Sequence, residues 1–270
     1  MLTECLEIRR GLESPRETAA ALSTLATLHL QQDDLARARD YDAEAIGIFR
    51  DLGDRIGEAI GLLNLGEISV RQADFGGAQE LFEQCLIIAR SVKHQELESD
   101  CERNLGELAL RAGNLPAARA RFARSLKVCQ DAEDKRGEAI TVWRLGKTDA
   151  EGGDLESARQ KLTEALRALQ AFEMSSEVLD CLEDYAKLLQ LAGQVENAVR
   201  ACAAATASRE AIGLARAPHR EAEMQTRLEA DRSDLGEPAF EAAWTTGRTW
   251  TLDEAIDHTL ASTGALTVTA

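Results

Sequence analysis

The sequence predicts an all-α, right-handed solenoid built from helix hairpins. Three observations carry the expectation. Apolar residues make up 44% of the chain but aromatics only 4%, so Ala and Leu, both strong helix formers, supply most of the apolar content. The chain also matches itself when shifted by 40 residues, through five consecutive units without an insertion. Finally, each unit contains two stretches of helical apolar spacing separated by turn residues.

The repeat is read from aligned positions. Leu25, Leu65, Leu105, Leu145 and Tyr185 fall 40 apart, followed at once by Ala26, Gly66, Gly106, Gly146 and Ala186. Ala38, Ala78, Ala118, Ala158 and Ala198 form a second series, and Ile46, Leu86, Leu126, Leu166 and Thr206 a third. The Gly and Ala positions let the two helices of a unit approach closely, where a larger side chain would overpack the crossing at a cost of roughly 1–3 kcal/mol.

The elements follow in order. Residues 1–13 align with the second half of a unit only, Cys5 matching Cys85 and Leu6 matching Leu86. Such a start leaves one helix face without its usual cover. It fits a piece of a longer protein, or a face that docks on another chain, a second copy included. The five full units span 14–213. The first opens with Ser14-Pro15-Arg16-Glu17, an N-cap serine, a proline in the first turn and a glutamate at the third position. In the second unit, Asp54 caps the first helix, Gln72-Ala73 ends it, and Asp74 caps the second helix. That second helix has an inner stripe of Phe75, Ala78, Leu81, Phe82, Cys85, Leu86 and Ala89. The second-helix caps recur as Asp34, Asp74, Asn114, Asp154 and the weaker Gln194. Gly113, Gly153 and Gly193 precede the last three, where a helix end favours a left-handed residue. Residues 214–265 form a degenerate repeat, with one more first-type helix over 219–231, and a C-terminal cap closed by Phe240, Trp244 and Trp250; 266–270 is a tail.

Composition excludes several function classes. With 31 basic and 47 acidic residues the formal charge is −16, unsuited to direct nucleic-acid binding or to an anionic membrane surface. No apolar run approaches membrane-spanning length, and Met1–Ile8 lacks the pattern of a secretory signal. Six scattered cysteines without a C-x-x-C pair fit small core residues in a reducing cytoplasm. Phosphate-loop, dinucleotide, zinc-protease and nucleophile-elbow motifs are missing. The expectation is a non-enzyme with no cofactor and no metal.

The Leu-Gly pair in the first helix, with Ala followed four residues later by an aromatic or Leu in the second (Ala78/Phe82, Ala118/Phe122, Ala158/Leu162), resembles the tetratricopeptide repeat. The unit is six residues longer than the usual 34 and resembles the long-helix subclass of bacterial regulators and kinesin light chains. Most units lack the family's first-helix Trp and Tyr, and Glu102 stands where an apolar residue is usual. The segment Leu235–Ala255, L-G-x-x-x-F-x-x-A-W-x-x-G-R-x-x-x-L-x-x-A, resembles the C-terminal end of large bacterial regulators that join a signal-transduction ATPase to such repeats. No ATPase or DNA-binding motif of those regulators is present.

The resemblance implies a concave groove lined by first helices. Its positions include Asn64 and Asn104, suited to bonding a ligand backbone, with Arg144 equivalent to them in the next unit; Arg71, Arg103, Arg111, Trp143 and Lys147 lie nearby. Arginine forks suit carboxylates or phosphates, and Trp and Arg dominate binding hot spots. One reading is an interaction or sensor module of a bacterial regulator, binding an acidic peptide or protein segment. A small-molecule effector sensor and a homo-oligomerising scaffold are the alternatives. A structural reading stands beside them: the arginines are solvated helix faces paired with Glu67, Asp100 and Glu107, and Trp143 packs between units.

Overall fold

The computed structural model describes residues 14–262 apart from Asp33. Among the described residues there are thirteen helices and no strand. The chain divides into two compact units, Met1–Asp134 and Lys135–Ala270. The first contains α1 (Pro15–Gln31), α2 (Leu35–Asp51), α3 (Arg55–Arg71), α4 (Phe75–Ser91), α5 (Gln95–Arg111) and α6 (Leu115–Asp131). The second contains α7 (Lys135–Glu151), α8 (Leu155–Ala171), α9 (Ser175–Leu191), α10 (Val195–Ile212), α11 (Pro218–Leu235), α12 (Glu237–Arg248) and α13 (Leu252–Ala261). Residues 1–13, read as half a repeat, and the 266–270 tail lie outside the described residues.

One turn design sets the regularity. Helices α1 to α9 are each 17 residues long and are joined by three-residue turns. The middle residue is left-handed: Gly53, Gly113, Gly153 and Gly193, and equally Ala73, Lys93, Glu133 and Glu173. The residue after it belongs to both helices. The Asp54 N–H donates back to the Phe49 carbonyl at 2.8 Å, closing α2, while its side chain accepts from Gly57 N–H at 3.0 Å, opening α3. Asp74, Asn114 and Asp154 repeat this dual role, and His94 does so through Nδ1. One expectation at these ends needs correction: Ser14 makes no side-chain cap bond, although Pro15 does occupy the first turn. Gly113, Gly153 and Gly193 are left-handed as expected.

The small-residue positions pack as expected. Ala38, Ala78, Ala118, Ala158 and Ala198 are fully buried. A Cβ on Gly106 would lie 2.6 Å from the Phe122 ring, one on Gly66 would meet Phe82 more closely still, and one on Gly146 would stand 3.0 Å from Leu162. Phe75, placed in the inner stripe by its spacing, is instead 44% exposed in the first turn of α4. In the first hairpin Asp42 occupies the position of Phe82 and Phe122 and is only 1% exposed. Glu102, also at an apolar position, is fully buried and held by Arg90 at 2.7 Å and Arg121 at 3.1 Å. The five described cysteines are buried and free. His29 lies between helices, stacked on Tyr41 with 5.4 Å between ring centroids.

In the second unit the apolar core runs through Trp143, Leu162, Leu166, Leu179, Leu182, Tyr185 and Leu188. Helix α12 packs along α10, where any side chain at Gly247 would collide with the Arg200 carbonyl. Phe240 is buried there with Val199 and Ala243.

Candidate functional site

Positions on the first-type helices recur at the repeat spacing, so they share a face. In the first unit these are Asn64, Glu67 and Arg71 on α3, and Asn104, Glu107 and Arg111 on α5. Asn64 Nδ2 donates to Asp42 Oδ1 at 3.4 Å. Burial pushes the Asp42 carboxyl up to about 7, with the Asn64 bond opposing and Glu67 adding to the rise. Glu67 is itself raised, first by burial and then by Asp100, with Arg71 counteracting. Arg71 donates to the Leu30 carbonyl at 2.9 Å. Arg103 is ion-paired with Asp100, whose carboxyl is raised by burial against the pull of that arginine. Arg111 Nε lies 3.6 Å from Glu107 Oε1, and Asn104 is half-buried. Arg71, Arg103 and Arg111 therefore each have a carboxylate on their own helix: Glu67, Asp100 and Glu107.

The second unit differs. Trp143 is 1% exposed, so it offers no surface to a partner; its Nε1–H donates to Asp184 Oδ2 at 2.8 Å. The Arg144 guanidinium lies 3.9 Å over the indole. Asp184 is mostly buried, its side chain 11% exposed, and burial alone would raise its carboxyl. Arg220, Lys147, Arg144 and the Trp143 hydrogen bond outweigh burial and hold it at about 2. Lys147 lines a cavity of about 580 Å³ with Asp184, Lys187, Arg220 and Arg227. Behind it, Glu183 accepts from Arg209 Nε and Arg216 Nε, each at 2.8 Å, and from Arg220 at 3.3 Å.

Of the eight predicted positions, Asn64, Arg71, Arg103, Asn104 and Arg111 thus lie in the first unit, and Trp143, Arg144 and Lys147 in the second. Sequence reasoning missed Lys187, Asp184 and Arg220. Lys187 stands 40 residues after Lys147 and was open to the repeat alignment. Arg220 lies beyond the periodic part, where no alignment reaches.

Comparison with known proteins agrees with this architecture. No curated protein matches the sequence. Among solved structures, BtubC (BKLC) from P. vanneervenii superposes with a TM-score of 0.64 at 17% identity, over 80% of this chain and 91% of that one. A signal-transduction ATPase with numerous domains and a tetratricopeptide repeat sensor, from Pyrococcus horikoshii, gives 0.65 at 15% identity, over 96% of this chain but 41% of that one. A Rap protein complexed with competence and sporulation factor gives 0.57 at 13% identity, over 92% and 76%. Such low identities speak to the fold alone. The sequence itself goes further, because the tetratricopeptide repeat profile matches in three overlapping stretches, 17–91, 57–131 and 97–171. Those stretches cover more than half of the residues and coincide with the hairpins described above, so the chain belongs to the tetratricopeptide-repeat family.

Proposed function

We propose that the chain is a protein-interaction module of a regulatory protein, and that its first-helix surfaces bind an extended segment of a partner. The observation that carries this reading is the recurrence of like polar groups at the repeat spacing: Asn64 with Asn104, Arg71 with Arg111, Lys147 with Lys187. An extended polypeptide presents its own groups at regular intervals and can engage such a series. The Rap complex and the repeat sensor of the Pyrococcus horikoshii ATPase support a binding role within a regulator.

Charge refines the partner. Arg103 and Arg111 are matched by Asp100 and Glu107, which favours a polar, near-neutral stretch of partner over the first unit. In the second unit Asp184 stays ionised down to about 2 although it is mostly buried, a sign of positive potential beside Lys147. An acidic stretch of the partner fits that surface. This is a role in binding, not in chemistry.

Fluorescence anisotropy with labelled decapeptides, one rich in glutamate, one in lysine and one of glycine and serine, tests the reading. The acidic peptide is expected to bind, and to lose about tenfold in affinity (~1.4 kcal/mol) in Lys147→Glu/Lys187→Glu. Equal binding of acidic and basic peptides, or an unchanged affinity in the double variant, overturns it.

A further inference from the structure

The 20-residue rhythm of helix starts holds from Pro15 to Val195 and then fails: α11 begins at Pro218, not at 215. Five residues, 213–217, stand where every earlier connection uses three. Helix α11 is therefore carried out of register. It is α12, fitted by Gly247, that lies tightly along α10. The space left among α10, α11 and α12 is a cavity of about 890 Å³, within the size range of small-molecule sites.

Its lining is divided by chemistry. Met224 and Leu228 of α11 and Leu214 of the connection face Phe240 and Trp244 of α12. Phe240 is itself buried and stacks on the half-buried Trp244, with 9° between the ring planes and 6.0 Å between centroids, so Trp244, Leu228 and Leu214 are the apolar groups left accessible in the lining. The cations at the rim are not equivalent. Arg209 and Arg216 are buried and committed to Glu183. Arg232 is 48% exposed, its partners Glu237 and Glu241 are 61% and 51% exposed, and its guanidinium sits 4.4 Å over the Phe240 ring. Exposed ion pairs contribute little, so an incoming anion can replace those glutamates on Arg232 at small cost.

We propose that this cavity binds a small, flat aromatic molecule bearing one anionic group, with its rings against Trp244 and Leu228 and its anion on Arg232. The site lies beyond the stretch matched by the repeat profile, and although Met224 lines both cavities, Arg232, Leu228 and Trp244 do not line the one beside Lys147, so their variants test it independently of the peptide-binding reading.

Titration of the whole chain with 8-anilinonaphthalene-1-sulfonate, read by dye fluorescence, tests it. Saturable one-to-one binding is expected, weakened about tenfold by Arg232→Glu and by Leu228→Glu and largely kept by Arg232→Lys. N-phenyl-1-naphthylamine, the same rings without the sulfonate, is expected to bind both Arg232 variants alike. Absence of saturable binding to the folded protein, or equal affinity of the sulfonate for wild type and Arg232→Glu, overturns the proposal. Arg232 is a surface side chain, so its variants decide the matter even where Leu228→Glu fails to fold.

Discussion

Glu102 of α5 is completely shielded from water, yet its carboxylate meets Arg90 of α4 at 2.7 Å, and Arg90 is half exposed. A second arginine, Arg121 of α6, reaches the same carboxylate from the other side at 3.1 Å. The acid cannot reach water without the fold opening, whereas both arginines can. Replacing the two parties should therefore have unequal effects. Arg90→Ala/Arg121→Ala strands a buried charge and should cost about 3–5 kcal/mol, while Glu102→Leu, which frees two arginines that can turn to solvent, should be near neutral. Urea unfolding of the three proteins followed by circular dichroism checks this, and a Glu102→Leu loss as large as that of the double variant refutes it.

Asp42 gives a dependence on pH. Its carboxyl titrates near 7 in the fold against an ordinary 3.8. Such a group binds its proton more tightly when folded, so its favourable contribution is complete below about pH 4 and is lost as the pH rises through 7. Asp42→Asn should match wild type near pH 4 and exceed it increasingly toward pH 8, by on the order of a few kcal/mol. Thermal melts of both proteins across that range give the comparison, and a constant difference would reject the assignment.

The glycines of α3 and α5 are tied to the rings they face. Gly66→Ala would ordinarily favour a helix by about 1 kcal/mol, but here the new methyl meets Phe82 and the net change should be a loss of roughly 1–2 kcal/mol. In a Phe82→Leu background the same change should cost less, since Leu162 already leaves more room at Gly146. A double-mutant cycle on thermal stability yields the coupling directly.

At the turns, Ala73, Lys93, Glu133 and Glu173 hold a left-handed backbone that costs an L-residue roughly 1–2 kcal/mol. Glycine removes that strain and gives part of it back as unfolded-chain entropy. Glu133→Gly should raise stability by about 0.5–1 kcal/mol, read as a higher melting temperature; no gain would mean that the turn carries little strain.

Much of this was legible in the sequence because a 40-residue period leaves independent copies to compare. The caps Asp34, Asp74, Asn114 and Asp154 and the alanines at 38 to 198 announced themselves by recurrence. What stayed hidden depends on partners at irregular distances. Glu102 looks like a misplaced charge until Arg90, 12 residues before it, and Arg121, 19 after it, converge on it. His94 serves as a cap through a ring nitrogen that carries no residue-type signal as strong as Asp or Asn. The pairing of the arginines with Asp100 and Glu107 stood in the sequence as one of two readings, and choosing it for Arg103 and Arg111 took side-chain geometry that recurrence does not carry. One pairing was open to inspection and missed. Gly66 and Gly106 stand with Phe82 and Phe122, whereas Ala26 and Ala186 stand with the smaller Asp42 and Cys202.

The shared residue at each turn has a consequence for how such a chain can change length. Asp54 finishes one helix and starts the next, so there is no slack between them to absorb an added or lost residue. One deletion inside α3 would turn everything after it by about 100° and bring its buried stripe to the surface. A sequence built this way tolerates growth only by copying whole hairpins, and three additional residues can be taken up only past the last of them, where α11 begins late.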